Sequence, residues 1–379
     1  MRLLLVGSSF ALRYGGPAVS VPRLARELVA CGVQVSLWAP DGSALQLAAA
    51  DSAGCLLQAG ALSAVLTARR PPDLIHDNGL WWRHHHQLCH RAQWLRLPRL
   101  VSSRGMLLPW CLRQRRWRKC VAWHLYQRRD LRRAAALHVT CAAEATAAAA
   151  LLPGIRCALI PNGVDLPAGT AGSGGPAAAA EPAPPGPAST GGGTARAAAG
   201  VALFLGRLCP VKGIDLLLQA WARLQPAGWQ LRIAGPDEGG WRRRLEAQAQ
   251  ALGLQADVRF LGPLTAATRE QELLGADLLV LPSRSESFAM VVAEALAQGL
   301  PVLTTTATPW QQLAAIEAGW LCEPTLPSLT LALQRALGTP AAQRRAMGLR
   351  GRDHVARQLS WRRSAEQFLH LYQQVLRQS

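Results

Sequence analysis

Residues 167–200 hold no Val, Ile, Leu, Met, Phe, Tyr or Trp; they are Pro, Gly and Ala with a few Ser and Thr, one Glu and one Arg. Such a stretch cannot bury enough apolar surface to build a core. A structureless loop of that length is also foreign to the inside of a compact domain. It therefore reads as an interdomain linker or a disordered insertion beside one, and the 379-residue chain must form its cores on either side.

Both sides carry the same alternation. Residues 2–7, "RLLLVG", read as a buried strand and 8–16 as a loop ending in Gly15 and Gly16. Residues 19–31 read as a helix with Leu24, Leu28 and Val29 on one side, and 33–38 as the next strand. Further short strands are expected at 74–76, 100–102, 135–140 and 157–160. The pattern restarts after residue 200 with a strand at 201–205, a loop at 206–213 and a helix whose apolar face is Ile214, Leu217, Leu218, Trp221 and Leu224. Strands follow at 231–235, 258–262, 276–283 and 301–306, with a helix at 287–298. Repeated strand–loop–helix units build parallel sheets. The expectation is two Rossmann-like α/β domains facing each other across a cleft, with ligand bound beyond the carboxyl ends of the strands.

Charge narrows the partners. The formal net charge is +18, and the first 165 residues hold 21 Lys or Arg against 8 Asp or Glu. The densest stretch, 111–133, has nine basic residues and one acid. That field attracts phosphates or an anionic membrane surface; the plainer reading is a solvated basic helix face. No zinc-finger spacing, RNA-binding aromatic motif or basic leucine zipper accompanies it, so no nucleic acid is expected. Nine scattered cysteines without a CxxC pair, and no signal peptide ahead of the first strand, favour a reducing, cytoplasmic setting. No apolar run reaches membrane-spanning length, so any membrane contact is expected to be peripheral, at the inner face. His84, His85 and His86, with Cys89 and His90 near them, invite a metal reading. Adjacent helical residues diverge and no second cluster is evident, so a charge-bearing helix surface is the preferred reading.

Four segments, in order, resemble the retaining GT-B glycosyltransferases of family 4: "YGGPAVSVPRLARELVACGVQVSLWAP", "IPNGVD" at 160–165, "LFLGRLCPVKGIDLLLQAW" and "LPSRSESFAMVVAEALAQGLPVLTT". "IHDNGLWW", "SSRGMLLPW" and "YQRRDLRRAAALHVTCAAEA" are similar, more narrowly, to bacterial transferases of lipopolysaccharide and exopolysaccharide assembly. The resemblance implies an acceptor-side domain at 1–166 and a nucleotide-sugar-binding domain at 201–359. It also implies a terminal helix at 360–379 that crosses back to the first domain; the alternative is a plain helix on the second.

A nucleotide-sugar donor carries a diphosphate whose charge grows as the sugar leaves. Arg207 and Lys212, between a strand end and a helix start, are placed to clamp it without a metal or other cofactor; the alternative is a pair of surface cations. Gly15 and Gly16 let backbone approach the diphosphate from across the cleft, unless they form an ordinary turn. The resemblance implies that Glu286 faces the donor sugar and that Glu294 holds the ribose. Relatives often read Phe-Gly where this chain has Phe288-Ala289, and a positive φ there would strain the alanine. The histidine that many relatives place near the reacting centre is absent; the matching loop carries Arg104, and Asp77 is the nearest acidic acceptor-side candidate. The expected activity is transfer of a sugar to a lipid-linked or saccharide acceptor in cell-surface polysaccharide synthesis. A sugar-nucleotide epimerase of similar architecture and a nucleic-acid-associated binding protein are the competing readings.

Overall fold

The computed structural model of the protein describes residues 1–11, 14–67, 69–167 and 200–378; the expected linker lies outside them from residue 168. Thirteen strands are described: β1 (Arg2–Gly7), β2 (Gln34–Trp38), β3 (Leu56–Gln58), β4 (Leu74–Asn78), β5 (Arg99–Ser102), β6 (Ala136–Val139), β7 (Cys157–Leu159), β8 (Gly200–Leu205), β9 (Trp229–Ala234), β10 (Val258–Gly262), β11 (Leu278–Leu281), β12 (Val302–Thr305) and β13 (Gly319–Cys322). They form a seven-stranded sheet in the order β3-β2-β1-β4-β5-β6-β7 and a six-stranded sheet in the order β10-β9-β8-β11-β12-β13. Every pairing within them is parallel.

In each sheet the strand order reverses beside its first strand, between β1 and β4 and between β8 and β11. Loops leaving neighbouring strands at such a point diverge to opposite faces and open a crevice at the carboxyl ends. The loops after β1, β4, β8 and β11 are therefore the ones the topology makes available to a ligand.

Continuous apolar runs such as Leu3–Val6 and Leu278–Leu281 are buried on both faces, as the helix layers require. The helix Gly16–Ala30 starts earlier than the apolar pattern suggests because Pro17 sits in its first turn, where a missing N–H costs nothing. Two edge strands, β3 and β13, are not evident from the sequence. Both are short and largely half-exposed, so they lack the apolar run that marks the inner strands.

The last helix, Trp361–Gln378, follows the second sheet yet packs on the first. Trp361, Ala365, Phe368, Tyr372 and Val375 recur at helical spacing and join Leu3, Leu5, Val21, Leu24 and Leu28 in one buried cluster. Backbone bonds the return: the Val164 amide donates to the Leu359 carbonyl at 2.8 Å, and Ser364 Oγ to the Pro161 carbonyl at 2.9 Å.

A buried polar chain ties this helix to three strands. His138 Nε2 lies 2.9 Å from the Ile160 carbonyl, which only accepts, so Nε2 carries the proton. His138 Nδ1 then accepts from Ser102 Oγ at 2.6 Å, and Ser102 Oγ accepts from His76 Nε2 at 2.6 Å. His76 Nδ1 is left to accept from the Tyr372 hydroxyl at 2.7 Å. Each group is satisfied with both imidazoles neutral. Burial, then the charge of Arg104, pushes His138 down to about 3. Burial, then His138 and Arg104, holds His76 well below the ordinary imidazole value.

Depressed imidazoles bind fewer protons in the folded chain than in the unfolded one. Their contribution is present above the unfolded value near 6.5 and is lost as pH falls below it. The urea midpoint is expected to be flat above about pH 7. Below about pH 6 stability should fall by roughly 1.4 kcal/mol per pH unit for each of the two imidazoles. His138→Gln, measured across the same pH series, should flatten the slope by about one proton's worth.

Candidate functional site

The loop after β8 and the loop after β11 close on each other. Gly213 holds φ +67°, and a Cβ there would stand 2.1 Å from the Pro282 carbonyl oxygen, so only glycine permits the approach. The Arg284 amide donates to the Val211 carbonyl at 2.7 Å, and the Arg284 guanidinium pairs with Asp215 at 2.6 Å. This zipper brings two of the sequence-predicted residues together. Lys212 Nζ is 2.5 Å from Glu286 Oε1, which also accepts from Ser283 Oγ at 2.7 Å. Both members of the pair are shielded, each 13% exposed.

Arg207, on the same loop as Lys212, reaches the other domain. A Cβ on Gly15 would lie 3.3 Å from Arg207 Nε, and Gly15 has φ +81°. A side chain at Gly15 would be strained and would press on the guanidinium. Gly16 opens the helix Gly16–Ala30, with no atom within 4 Å of the place a Cβ would take. First-turn amides of a helix lack intrahelical acceptors and carry partial positive charge, so this end suits an anion. Arg207 meanwhile pairs with Glu238 at 2.6 Å, in an exposed contact. Glu294 is not beside the Lys212–Glu286 pair in the contacts it makes; it is bound by Arg269 from the helix Ala266–Leu274.

On the first domain, Arg104 has φ +49° and turns its guanidinium inward. It donates to Asn78 Oδ1 at 2.6 Å and to Asn162 Oδ1 at 3.1 Å. Burial lowers it to about 10, opposed by Glu144, so it stays charged at neutral pH. The sequence reading missed Glu144. This fully buried carboxylate accepts from Ser103 Oγ at 2.7 Å, from the Gly105 amide, and from the Thr140 amide at 2.8 Å. It thereby fixes the turn that carries Arg104. The Thr140 hydroxyl lies 2.9 Å from Glu144 Oε2 and 3.0 Å from the Ser287 carbonyl, linking this turn to the loop of Glu286.

Asp77 requires correction. It is fully buried rather than on the cleft wall, with one oxygen 2.5 Å from His85 Nδ1 and the other 2.9 Å from Arg99 Nη1. Burial raises its pKa, but His85 and then Arg99 pull it below the usual carboxylate value. Among the described residues it is linked to the loop after β1 through His85, whose Nε2 is 2.9 Å from Ser8 Oγ. The histidine run is likewise not a plain charged surface: His85 is 3% exposed and His86 bonds Asp130 at 2.7 Å. Three adjacent histidines gave no sign of these partners, because Asp77 and Asp130 reach them through the fold.

Two parallel sheets, each flanked by helices and each presenting its switch-point loops, define the GT-B class of two-domain proteins. Residues 195–354 match the family described as Glycosyl transferases group 1, and residues 15–163 match the Glycosyl transferase 4-like domain. A D-inositol 3-phosphate glycosyltransferase of Salinispora tropica is 35% identical over 184 residues, covering 45% of this chain and 38% of that protein. The chain thus spans well under half the length of the curated relatives it matches. Sucrose-phosphate synthase from Thermosynechococcus elongatus superposes with a TM-score of 0.77 at 22% identity, covering all of both chains. Anabaena HepE, in complex with UDP and glucose, gives 0.73 at 20% identity over 99% of this chain and all of that one. The chain belongs to the GT-B glycosyltransferases of family 4.

Ala289 caps the helix Met290–Ala297 with φ +61° and ψ +65°. The left-handed conformation costs an L-residue roughly 1–2 kcal/mol, offset against about 0.8 kcal/mol for the buried methyl. Ala289→Gly is expected to raise stability by up to about 1 kcal/mol in urea unfolding. A loss of stability larger than that would show that packing, not backbone strain, governs the position.

Proposed function

We propose that the chain transfers a sugar from a nucleotide-diphosphate donor to a hydroxyl of a saccharide or lipid-linked acceptor, with the anomeric configuration retained and no divalent metal at the donor site. The observation that carries this reading is the shielded Lys212–Glu286 pair at the switch point of the second sheet, on the loop whose Arg207 lies against Gly15 of the first. The proposed division of labour assigns 1–166 to the acceptor side, 201–359 to the donor and 360–379 to the return helix. The UDP and glucose bound by HepE support testing a uridine-diphosphate sugar first.

In this mechanism the diphosphate lies between the 206–213 loop and the amino end of the helix Gly16–Ala30. Arg207 exchanges its exposed partner Glu238 for a phosphate oxygen. Lys212 stays close to Glu286 and meets the leaving phosphate as its charge develops, where a preorganised cation acts most strongly. Glu286 accepts from sugar hydroxyls, and Glu294 turns from Arg269 to the ribose hydroxyls. The acceptor oxygen bonds the anomeric carbon on the face the phosphate leaves, and the leaving phosphate takes the acceptor proton. Arg104, held by Asn78 and Asn162, keeps positive charge on the acceptor side.

An anionic membrane surface at the inner face is the proposed second partner. Among the described residues no helix is long and apolar enough to cross a membrane. The helical stretch 116–132 leaves Trp117, Val121 and Leu125 exposed one turn apart, beside exposed Arg116, Arg118, Arg128 and Arg129. An apolar stripe edged by arginines suits shallow insertion among anionic headgroups.

Lys212→Ala is expected to lower kcat by roughly 100-fold or more with substrate binding less affected. Glu294→Gln should instead raise KM more than it lowers kcat. Steady-state kinetics in EDTA, with NMR of the product anomer, reads both; an inverted product or a strict metal requirement would refute the mechanism.

Vesicle co-sedimentation should show salt-sensitive binding to phosphatidylserine-containing membranes and little to neutral ones. A Trp117→Ser, Leu125→Ser double variant should weaken it about 10-fold or more at unchanged charge. Equal binding by this variant would remove the stripe from the account.

A further inference from the structure

The cleft does not use His86, His90 or Asp130, and these three meet on another side of the first domain. His86 and His90 stand one turn apart on the helix Arg83–Trp94, so their rings share a face, 4.5 Å apart and perpendicular. Asp130 comes from the helix Arg128–Arg132, 44 residues away in sequence from His86. Its side chain is 3% exposed. One carboxylate oxygen, Oδ2, is 2.7 Å from His86 Nδ1; the other, Oδ1, is buried without a hydrogen-bond partner. A buried carboxylate oxygen with no donor is costly to leave so, and in a native protein it asks for an explanation.

We propose that His86, His90 and Asp130 form a Zn²⁺ site that clasps the helix of the two histidines to the basic segment. Donor atoms of the three residues all lie within 4.8 Å of one another. Two imidazole nitrogens and one carboxylate are the donor set of a borderline transition ion rather than of Mg²⁺ or Ca²⁺, which take oxygens. On binding, the cation takes the place of the proton between His86 Nδ1 and Asp130 Oδ2. The His86 proton moves to Nε2, so no net charge is buried on the ring, and with the carboxylate bound through both oxygens Oδ1 gains the partner it lacks. Exposed His90 completes three protein donors. The remaining coordination position opens onto a groove of about 890 Å³ lined by Ser63, Arg83, Gln87 and Trp94, where water reaches it. The carbonyl of Asp130 is already fixed by Arg99, whose other bond is to Asp77, so the carboxylate sits on an anchored backbone.

The clasp would join the helix Arg83–Trp94 to the end of the helical stretch 116–132 that bears Trp117, Val121 and Leu125. Zinc at this site is distinct from the donor site and acts on the order of the basic segment, not on the transferring bond. The reading stands whether or not the donor-site assignment does.

The test is Zn²⁺ titration of the EDTA-stripped, dialysed full chain against a competing chromogenic chelator, with melting temperature read in parallel. The wild type is expected to bind one equivalent with micromolar or tighter affinity and to melt a few degrees higher with zinc. Binding should weaken at acidic pH, because protons compete with the metal for the ligating nitrogens. His90→Gln, a change at an exposed side chain, should weaken affinity roughly 100-fold and abolish the melting shift, with unchanged circular dichroism. Cys120→Ser should leave binding intact; it removes an exposed thiol that lies 3.9 Å from His124 Nδ1 and could form a competing donor pair. Overturning results are no saturable site in the wild type, full binding by His90→Gln, or loss in Cys120→Ser. Turnover by the stripped protein separates this site from the donor site: retained activity with lost zinc stabilisation is the expected pair.

Discussion

The return of the last helix to the first sheet is the constraint on which the cleft depends. A helix that follows the second domain buries Trp361, Phe368, Leu371, Tyr372 and Val375 in the first domain's core. It enters that core next to Gly163, where a Cβ would sit 2.4 Å from the Trp361 backbone. The two sheets are thus joined a second time, beyond the segment at 167–200, and their carboxyl ends stay opposed. Arg207 against Gly15 and Thr140 against the Ser287 carbonyl are the contacts that result. The directional chain from Tyr372 through His76, Ser102 and His138 to the Ile160 carbonyl adds specificity to this packing, because each member is satisfied in only one protonation pattern.

The charges of the proposed donor site are neutralised by one another. Arg207 faces Glu238, Lys212 faces Glu286 and Arg269 faces Glu294. These pairs are unequal. Exposed pairs such as Arg207–Glu238 contribute little, so in the proposed mechanism a diphosphate displaces Glu238 at small cost. Lys212–Glu286 is shielded, and breaking it would leave a buried charge uncompensated. The proposed mechanism therefore keeps that pair intact and adds the phosphate to it, with Glu286 still able to accept from a sugar hydroxyl through its second oxygen.

Much of the fold was legible because long apolar runs and their alternation with amphipathic helices survive any detail of packing. The inner strands, the two-sheet architecture and the loops bearing Arg207, Lys212 and Glu286 follow from that pattern. Local backbone exceptions were less visible. The helix expected from 287 begins at Met290, because Ser287 is drawn into the interdomain contact and Ala289 takes a left-handed turn. Partnerships across sequence were invisible. Glu144 carries no sequence signal of its role, yet it holds the turn of Arg104. Asp77 looked like a cleft residue because its neighbours resembled a family motif, and it is instead tied down by His85 and Arg99.

The central claim is that one diphosphate site is built by Arg207 and Lys212 without a metal. Calorimetric titration of UDP, in EDTA, into the wild type and a folded Arg207→Ala, Lys212→Ala double variant tests it most directly. The account predicts saturable one-site binding by the wild type and affinity weakened by at least about 100-fold in the variant. Equal affinity in the two proteins would contradict the site.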